Sequence, residues 1–194
     1  MVSQSTKHSR DDFILDAVRE AVILHGVRRT TANDIAERAG VSRMTFYRAM
    51  GSVDEAVLRT LTREFALGTA RARSDATETT ARERLVHFAV DSVRTFATSP
   101  LIRSIGERDP ELLVPYVTDR FGSSQAIVLD AIAAFIAEGE ADGTIQPRPG
   151  MATAVLVTLQ GFGLSSKIIA ARGELDDCFA ELRTLLDSYL AAKA

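Results

Sequence analysis

This sequence predicts an all-α protein, with an N-terminal helix-turn-helix domain joined to a larger C-terminal helical bundle and about nine helices in total. Two observations carry the prediction. Period-2 alternation is nearly absent, whereas apolar residues recur at helical spacing along the whole chain. Helix-capping residues and glycine stops also follow one another densely, with four helix starts in about 45 residues near the N-terminus.

The first helix is expected over about 10–25, where Ile14, Ala17, Val18, Ala21 and Val22 share a face. Ser9 and Asp12 stand in the positions of a capping box, and Gly26 is placed to stop the helix in a left-handed conformation. Thr31 and Asp34 open a short second helix with Ile35, Ala36 and Ala39 on one side, and Gly40 interrupts it. Ser42 caps a third helix running to about Met50, which Gly51 breaks. Ser52 and Glu55 make a capping box for a fourth, reaching about Arg73. Residues 74–80 are small and polar, a hinge or loop.

Thr80 and Glu83 then lead into the apolar stripe Leu85, Phe88, Ala89, Val93 and Phe96. Ser99-Pro100 and Asp109-Pro110 each set an N-capping residue before a proline at the first helical position. A long run from about Thr118 to Glu140 ends at the Asp142-Gly143 turn. After a loop at 147–150, two helices are expected at about 151–171 and 174–192, separated by Gly173.

Composition bounds the function classes. The chain is 46% hydrophobic and 25% charged, enough apolar residue to bury a core without staples. Its one cysteine, Cys178, excludes an intramolecular disulfide and reads as a small buried or interface residue. The polar first ten residues show no signal peptide, and Gly, Thr, Gln or charged residues interrupt the apolar stretches, so no membrane span and a cytoplasmic location are expected. The net charge of −3 hides an asymmetry: residues 1–74 carry 12 Lys/Arg against 9 Asp/Glu, and the remainder 11 against 17. Within 26–50, Arg28, Arg29, Arg38, Arg43 and Arg48 face only Asp34 and Glu37. A basic segment on an acidic chain suggests a local anionic partner, although a solvated mixed-charge surface gives the same counts.

Residues 31–50 hold the constellation with chemical meaning. Ala36 is small enough to let the next helix approach, Gly40 tolerates the positive φ of a tight corner, and Val41 plugs that corner. Phe46 and Met50, four apart, face inward with Ala49 nearby. The opposite face presents Arg43, Met44, Thr45, Tyr47 and Arg48. Arginine can reach guanine edges or phosphate, and Thr and Tyr hydroxyls can hold phosphates, which is what a helix in a major groove needs. An ordinary helical hairpin would carry some of these residues, but not their joint spacing.

The segment resembles the DNA-binding domain of the TetR (tetracycline-repressor-like) family through Thr31, Asp34-Ile35-Ala36, Ala39-Gly40-Val41-Ser42, Thr45, Phe46-Tyr47 and Met50-Gly51-Ser52. The resemblance covers about a third of the chain. It implies a DNA-binding domain over 8–68 and a ligand-binding and dimerisation domain over 75–194. It also implies that Arg43, Met44 and Arg48 face the bases, that Thr45 and Tyr47 meet phosphates, and that Ser42 is among the DNA-binding residues. Thr31, Ala32 and Asn33 would touch DNA from the start of the second helix. Met50 stands where the family usually has Phe. Val53 stands where it usually has a Lys close to DNA phosphate, so one backbone contact is expected to be missing.

Beyond that domain the resemblance implies a pocket for a small hydrophobic effector, unidentified in kind, with His87, Phe88, Phe96, Phe121, Gln125, Gln160 and Phe162 as candidate lining residues. It also implies a homodimer built from the last two helices, with Val155, Leu159, Leu182, Leu186 and Tyr189 as candidates and Gly161 and Gly163 allowing close approach. The expected function is transcription regulation, as a repressor of a palindromic double-stranded DNA operator, with no cofactor and no metal. A helical adaptor without DNA binding, or an enzyme, are the alternatives. For an enzyme, no phosphate loop, zinc-spaced histidine pair or nucleophile elbow is present, and His8, His25 and His87 lie far apart.

Overall fold

The computed structural model describes residues 9–114 and 121–192. Among these are nine α-helices and no strand: α1 (Arg10–His25), α2 (Ala32–Arg38), α3 (Arg43–Met50), α4 (Val53–Asp75), α5 (Ala81–Thr98), α6 (Pro100–Arg108), α7 (Ser123–Ala141), α8 (Met151–Ala171) and α9 (Leu175–Leu190). A 3-10 turn spans Pro110–Leu112, and an isolated bridge joins Ile145 to Ala191. Thr118, the expected start of the long seventh helix, lies outside the described residues, as does His8.

Local chemistry explains most of the helix starts. Ser9 and Asp12 form a full capping box, as do Thr80 and Glu83. At α4, Ser52 Oγ accepts from the Glu55 amide at 3.0 Å. Gly26 does have positive φ, but its ψ of 171° lies outside the left-handed helical region that the sequence suggested. Asp109 does occupy the N-cap position before Pro110, as expected, but it opens only a 3-10 turn. Its side chain makes no capping bond to the turn it precedes and is directed elsewhere.

The chain divides into two compact units, Met1–Arg63 with Pro100–Arg120 and Glu64–Ser99 with Phe121–Ala194. The helix-turn-helix unit is therefore not contiguous. α6 belongs to it, whereas the expected boundary at about 68–75 put α6 in the other domain. In this first unit α1 packs on α2 and on α6, and α2 packs on α3. Ile14, Val18, Ile35, Phe46, Met50, Val57, Leu101 and Ile105 form its core. Two ion-pair sets hold the start of α4 to α1. Arg59 reaches Asp11 at 3.1 Å and the Ala49 carbonyl at 2.9 Å, and Arg63 pairs with Asp16.

In the second unit α5 is central and packs on α7, α8 and α9. Leu85, Phe88, Ile132, Phe135, Val155, Leu159, Leu182 and Leu186 form the core. The Phe88 and Phe135 rings meet at 5.4 Å between centroids. Burial of each such side chain contributes roughly 1.5–3 kcal/mol. Gly163 admits Phe96, whose ring would stand 3.0 Å from an added Cβ, so that close approach is internal to the unit. Gly161 faces open space.

α8 is the one apolar stretch among the described residues that runs further than its sequence interruptions suggested. Its 21 residues are long and apolar enough to cross a membrane by length and composition, despite the Gly, Thr and Gln within it. One of its faces lies in the core through Met151, Val155, Leu156, Leu159 and Gly163, while Val157, Leu164 and Ile168 are exposed.

Candidate nucleic-acid interface

α2 and α3 meet at a corner whose geometry follows from three residues. Gly40 has φ +65°, the Val41 amide bonds the Ala36 carbonyl at 2.9 Å, and Val41 packs on the core beneath. Ser42 then caps α3, its Oγ accepting from the Thr45 amide at 3.1 Å and lying 2.9 Å from Thr45 Oγ1. Phe46 and Met50 are fully buried and fix how α3 is rotated about its axis. That rotation points the other face outward. Met44 is 75% exposed, and Arg43, Tyr47 and Arg48 are exposed too.

The outward face is partly preorganised. The Arg43 guanidinium lies 5.4 Å above the Tyr47 ring, and the Tyr47 ring stands edge-on to buried Phe46 at 5.3 Å. A cation–π contact at an exposed site is worth about 0.5–1 kcal/mol, enough to bias the arginine without immobilising it. Arg38 is tied to Asp34 at 2.9 Å, and Arg28 to Glu111 at 2.7 Å. That leaves Arg29, Arg43 and Arg48 without a carboxylate partner among the described residues, in the α1–α2 connection and on α3. On α2, Thr31 Oγ1 accepts from the Asp34 amide at 3.2 Å and keeps its own proton available to donate. Asn33 is exposed.

Ala32 is a correction. It is 5% exposed and part of the core, so its side chain cannot reach a partner molecule; the first inward position of α2 falls one residue after its cap. Val53 is half-buried and packs on the core edge. What the sequence reading missed is how the end of α1 and the α1–α2 connection are held by Ser104 and Arg108 of α6 and by Asp109 just after it. The only available signal was an Asp-Pro pair, which local capping rules assign to the wrong partner.

The candidate pocket residues do not converge. Phe88 is fully buried against Phe135, and Gln125 Oε1 accepts from the Gly122 amide at 2.7 Å, closing the start of α7. Phe121 is exposed, Phe96 packs against Phe65 and Gly163, and Phe162 lies on the core edge. Gln160 is half-buried on α8. His87 pairs through Nδ1 with Glu78. Burial raises the Glu78 carboxyl, but the hydrogen bond to His87 and the charges of His87 and Arg183 outweigh it and hold it below the ordinary value. A groove of about 380 Å³ does lie in this unit, but Glu78, Glu83, Arg183, Thr184, Asp187 and Ser188 make it polar, and it includes none of the predicted lining residues.

The candidate interface residues are corrected in the same way. Val155, Leu159, Leu182 and Leu186 are all buried in the chain's own core, because helical periodicity marks an apolar face without saying which neighbour covers it. Tyr189 is at the surface, with the Arg148 guanidinium 4.6 Å from its ring centroid.

The family model for bacterial regulatory proteins of the tetR family matches residues 14–54, from α1 to the start of α4. An uncharacterized HTH-type transcriptional regulator of Mycobacterium bovis is 30% identical over 91% of this chain and 92% of its own length. This chain belongs to the TetR family. Two solved structures share its fold. The fatty acid degradation regulator FadR of Bacillus halodurans has a TM-score of 0.69 at 16% identity, covering 94% of this chain and 96% of that one. The transcriptional regulator FadR of Bacillus subtilis, in complex with stearoyl-CoA, has a TM-score of 0.64 at 15% identity, covering 91% and 97%. This TetR-family protein is accordingly a DNA-binding transcriptional regulator.

Proposed function

We propose that this TetR-family regulator is a homodimeric cytoplasmic repressor, with no enzymatic activity, that reads a palindromic operator and is released by a small hydrophobic effector. One observation carries the DNA reading: α3 buries Phe46 and Met50 while holding Arg43, Met44, Tyr47 and Arg48 outward. Arg43, Met44 and Arg48 meet base edges. Tyr47, Thr45, Ser42 and Thr31 donate hydroxyls to phosphates, and Asn33 has the bidentate amide that suits adenine. One such helix sees only a few base pairs, so a two-fold pair is needed to read a full operator.

Selection of bound duplexes from random DNA, followed by titration, tests this. Arg43→Ala should weaken binding to the selected site by about 1–3 kcal/mol and relax the preference at one position in each half-site. Tyr47→Phe should weaken all sequences alike and leave the preference unchanged. Recovery of no consensus, or equal affinity for Arg43→Ala, would remove the assignment.

The effector class rests on the fold shared with the Bacillus subtilis FadR, which holds stearoyl-CoA, and on the apolar interior of the second unit. Because the Phe88 and Phe135 rings fill that interior, entry of an acyl chain requires them to move apart. A thermal-shift panel of acyl-CoAs should find a ligand that stabilises the protein by about 2.7 kcal/mol at a hundred times its Kd and lowers operator affinity. A ligand that stabilises the protein and leaves DNA binding untouched would count against the release mechanism.

A further inference from the structure

The connection between α1 and α2 is short, and it leads straight into Thr31, the cap of α2. Its backbone groups are satisfied by side chains from a segment more than eighty residues later. Asp109 Oδ2 accepts from the Val27 amide at 2.7 Å, and Oδ1 accepts from the Arg28 amide at 3.3 Å with the Arg28 guanidinium 3.8 Å away. On the other side of the same corner, Ser104 Oγ donates to the Val22 carbonyl at 2.7 Å and Arg108 donates to the Ile23 carbonyl at 2.8 Å. Arg108 also donates to Ser104 Oγ at 2.9 Å, so these two side chains brace each other beside the Asp109 carboxylate's own bonds to the loop.

The fit is close. The Asp109 carboxylate is 1% exposed as a residue. A Cβ on Gly26 would stand 2.8 Å from Asp109 Oδ2 and 3.1 Å from the Arg108 side chain, and the Gly26 φ of +79° disfavours any other residue. Thr30, buried in the same loop, donates its hydroxyl to the Gly26 carbonyl at 2.7 Å. The last turn of α1 leaves carbonyls open and the following loop leaves amides open, and this clamp meets both needs with the appropriate donors and acceptors. A buried carboxylate holding two amides is a strong, directional anchor, and no other described acceptor reaches those amides.

We propose that Asp109 is a positioning residue for DNA recognition. By holding the amides of Val27 and Arg28 it sets where α2 starts, and through the α2–α3 packing it sets where the recognition helix stands. It touches no DNA itself. The inference rests on the DNA-binding reading above, and it makes the end of α6 a determinant of operator affinity.

The test uses the full-length protein and a duplex selected from random DNA by the unsubstituted chain. Asp109→Asn keeps the shape but presents an amide NH2 to one of the two backbone donors. It should raise the Kd for that duplex by about tenfold, the loss of one charge-assisted bond. The dependence on salt should stay unchanged, because no phosphate contact is removed. Hydrogen exchange should speed up at Val27 to Asp34 while the Phe46 amide stays protected. Ser104→Ala is the milder companion and should raise the Kd by a few-fold with the same exchange signature, so a failure of Asp109→Asn to fold does not end the test.

Two outcomes overturn the proposal. One is faster exchange at the corner with unchanged affinity in both variants. The other is a loss of affinity that follows only uniform loss of protection across the chain, as expected of a purely structural residue. If the unsubstituted protein selects no duplex, the DNA-binding reading fails instead, and the two failures are told apart before any variant is made.

Discussion

Arginine at two exposed positions of α8, Leu164→Arg with Ile168→Arg, should separate the proposed homodimer into monomers and raise the operator Kd by about a hundredfold or more. Val157, Gly161, Leu164 and Ile168 recur at the three- and four-residue spacing that makes one continuous stripe along a helix. Val157 and Ile168 are 52% and 69% exposed, and an added Cβ at Gly161 meets nothing within 4 Å. α9 adds exposed Leu185 and Tyr189, again four apart. An uncovered apolar stripe on a helix of this length is costly in water and suits pairing with a second copy as a four-helix arrangement. Two like charges on each side of a two-fold seam oppose that pairing, and the energetic link between the two half-sites is then lost.

Because these side chains lie outside the chain's own core, the variant should keep its helical content and thermal stability. Sedimentation and operator titration read the two effects together. A variant that stays dimeric with unchanged affinity would move the interface elsewhere. The contrast is informative. Leu182→Ala or Leu186→Ala, at positions singled out from sequence, should instead destabilise the second unit by about 2–5 kcal/mol through cavity formation, with the association equilibrium changed only indirectly.

Phe46→Ala should be the most damaging single change in the first unit, at about 3–5 kcal/mol. Phe46 is fully buried beneath the corner, and its ring supports the edge of Tyr47 at 5.3 Å. Its removal empties the seat of α3 and releases the rotation that keeps Arg43 and Arg48 outward. Hydrogen exchange should show loss of protection in α1 to α3 while α5 and α7 keep theirs, and operator binding should fall with it. Tyr47→Ala, one residue on, should cost little stability because Tyr47 is 39% exposed, yet still weaken DNA binding. If the two variants behave alike in stability, the inward and outward faces of α3 have been misassigned.

The placement of Phe46 and Met50 inward, with Arg43, Met44, Tyr47 and Arg48 outward, was legible because it depends only on helical period and on a corner that Gly40 permits. Ala32 was not, because its neighbours in sequence are polar and only the packing of α2 on α1 turns it inward. Phe88 and Leu182 read equally well as pocket, interface or core, since an apolar side chain carries no mark of what covers it.

Short-range rules therefore determined the all-α class, the nine helices among the described residues, the corner at Gly40 and the outward face of α3. Each follows from spacing, capping or backbone sterics within a few residues. Tertiary structure alone decided that α6 joins the first unit, that Asp109 reaches back to Val27, and that Leu164 and Ile168 rather than Val155 and Leu159 are left uncovered. Those outcomes depend on which helices meet from distant parts of the chain, and a polar or apolar side chain is satisfied by whichever neighbour the packing brings within reach.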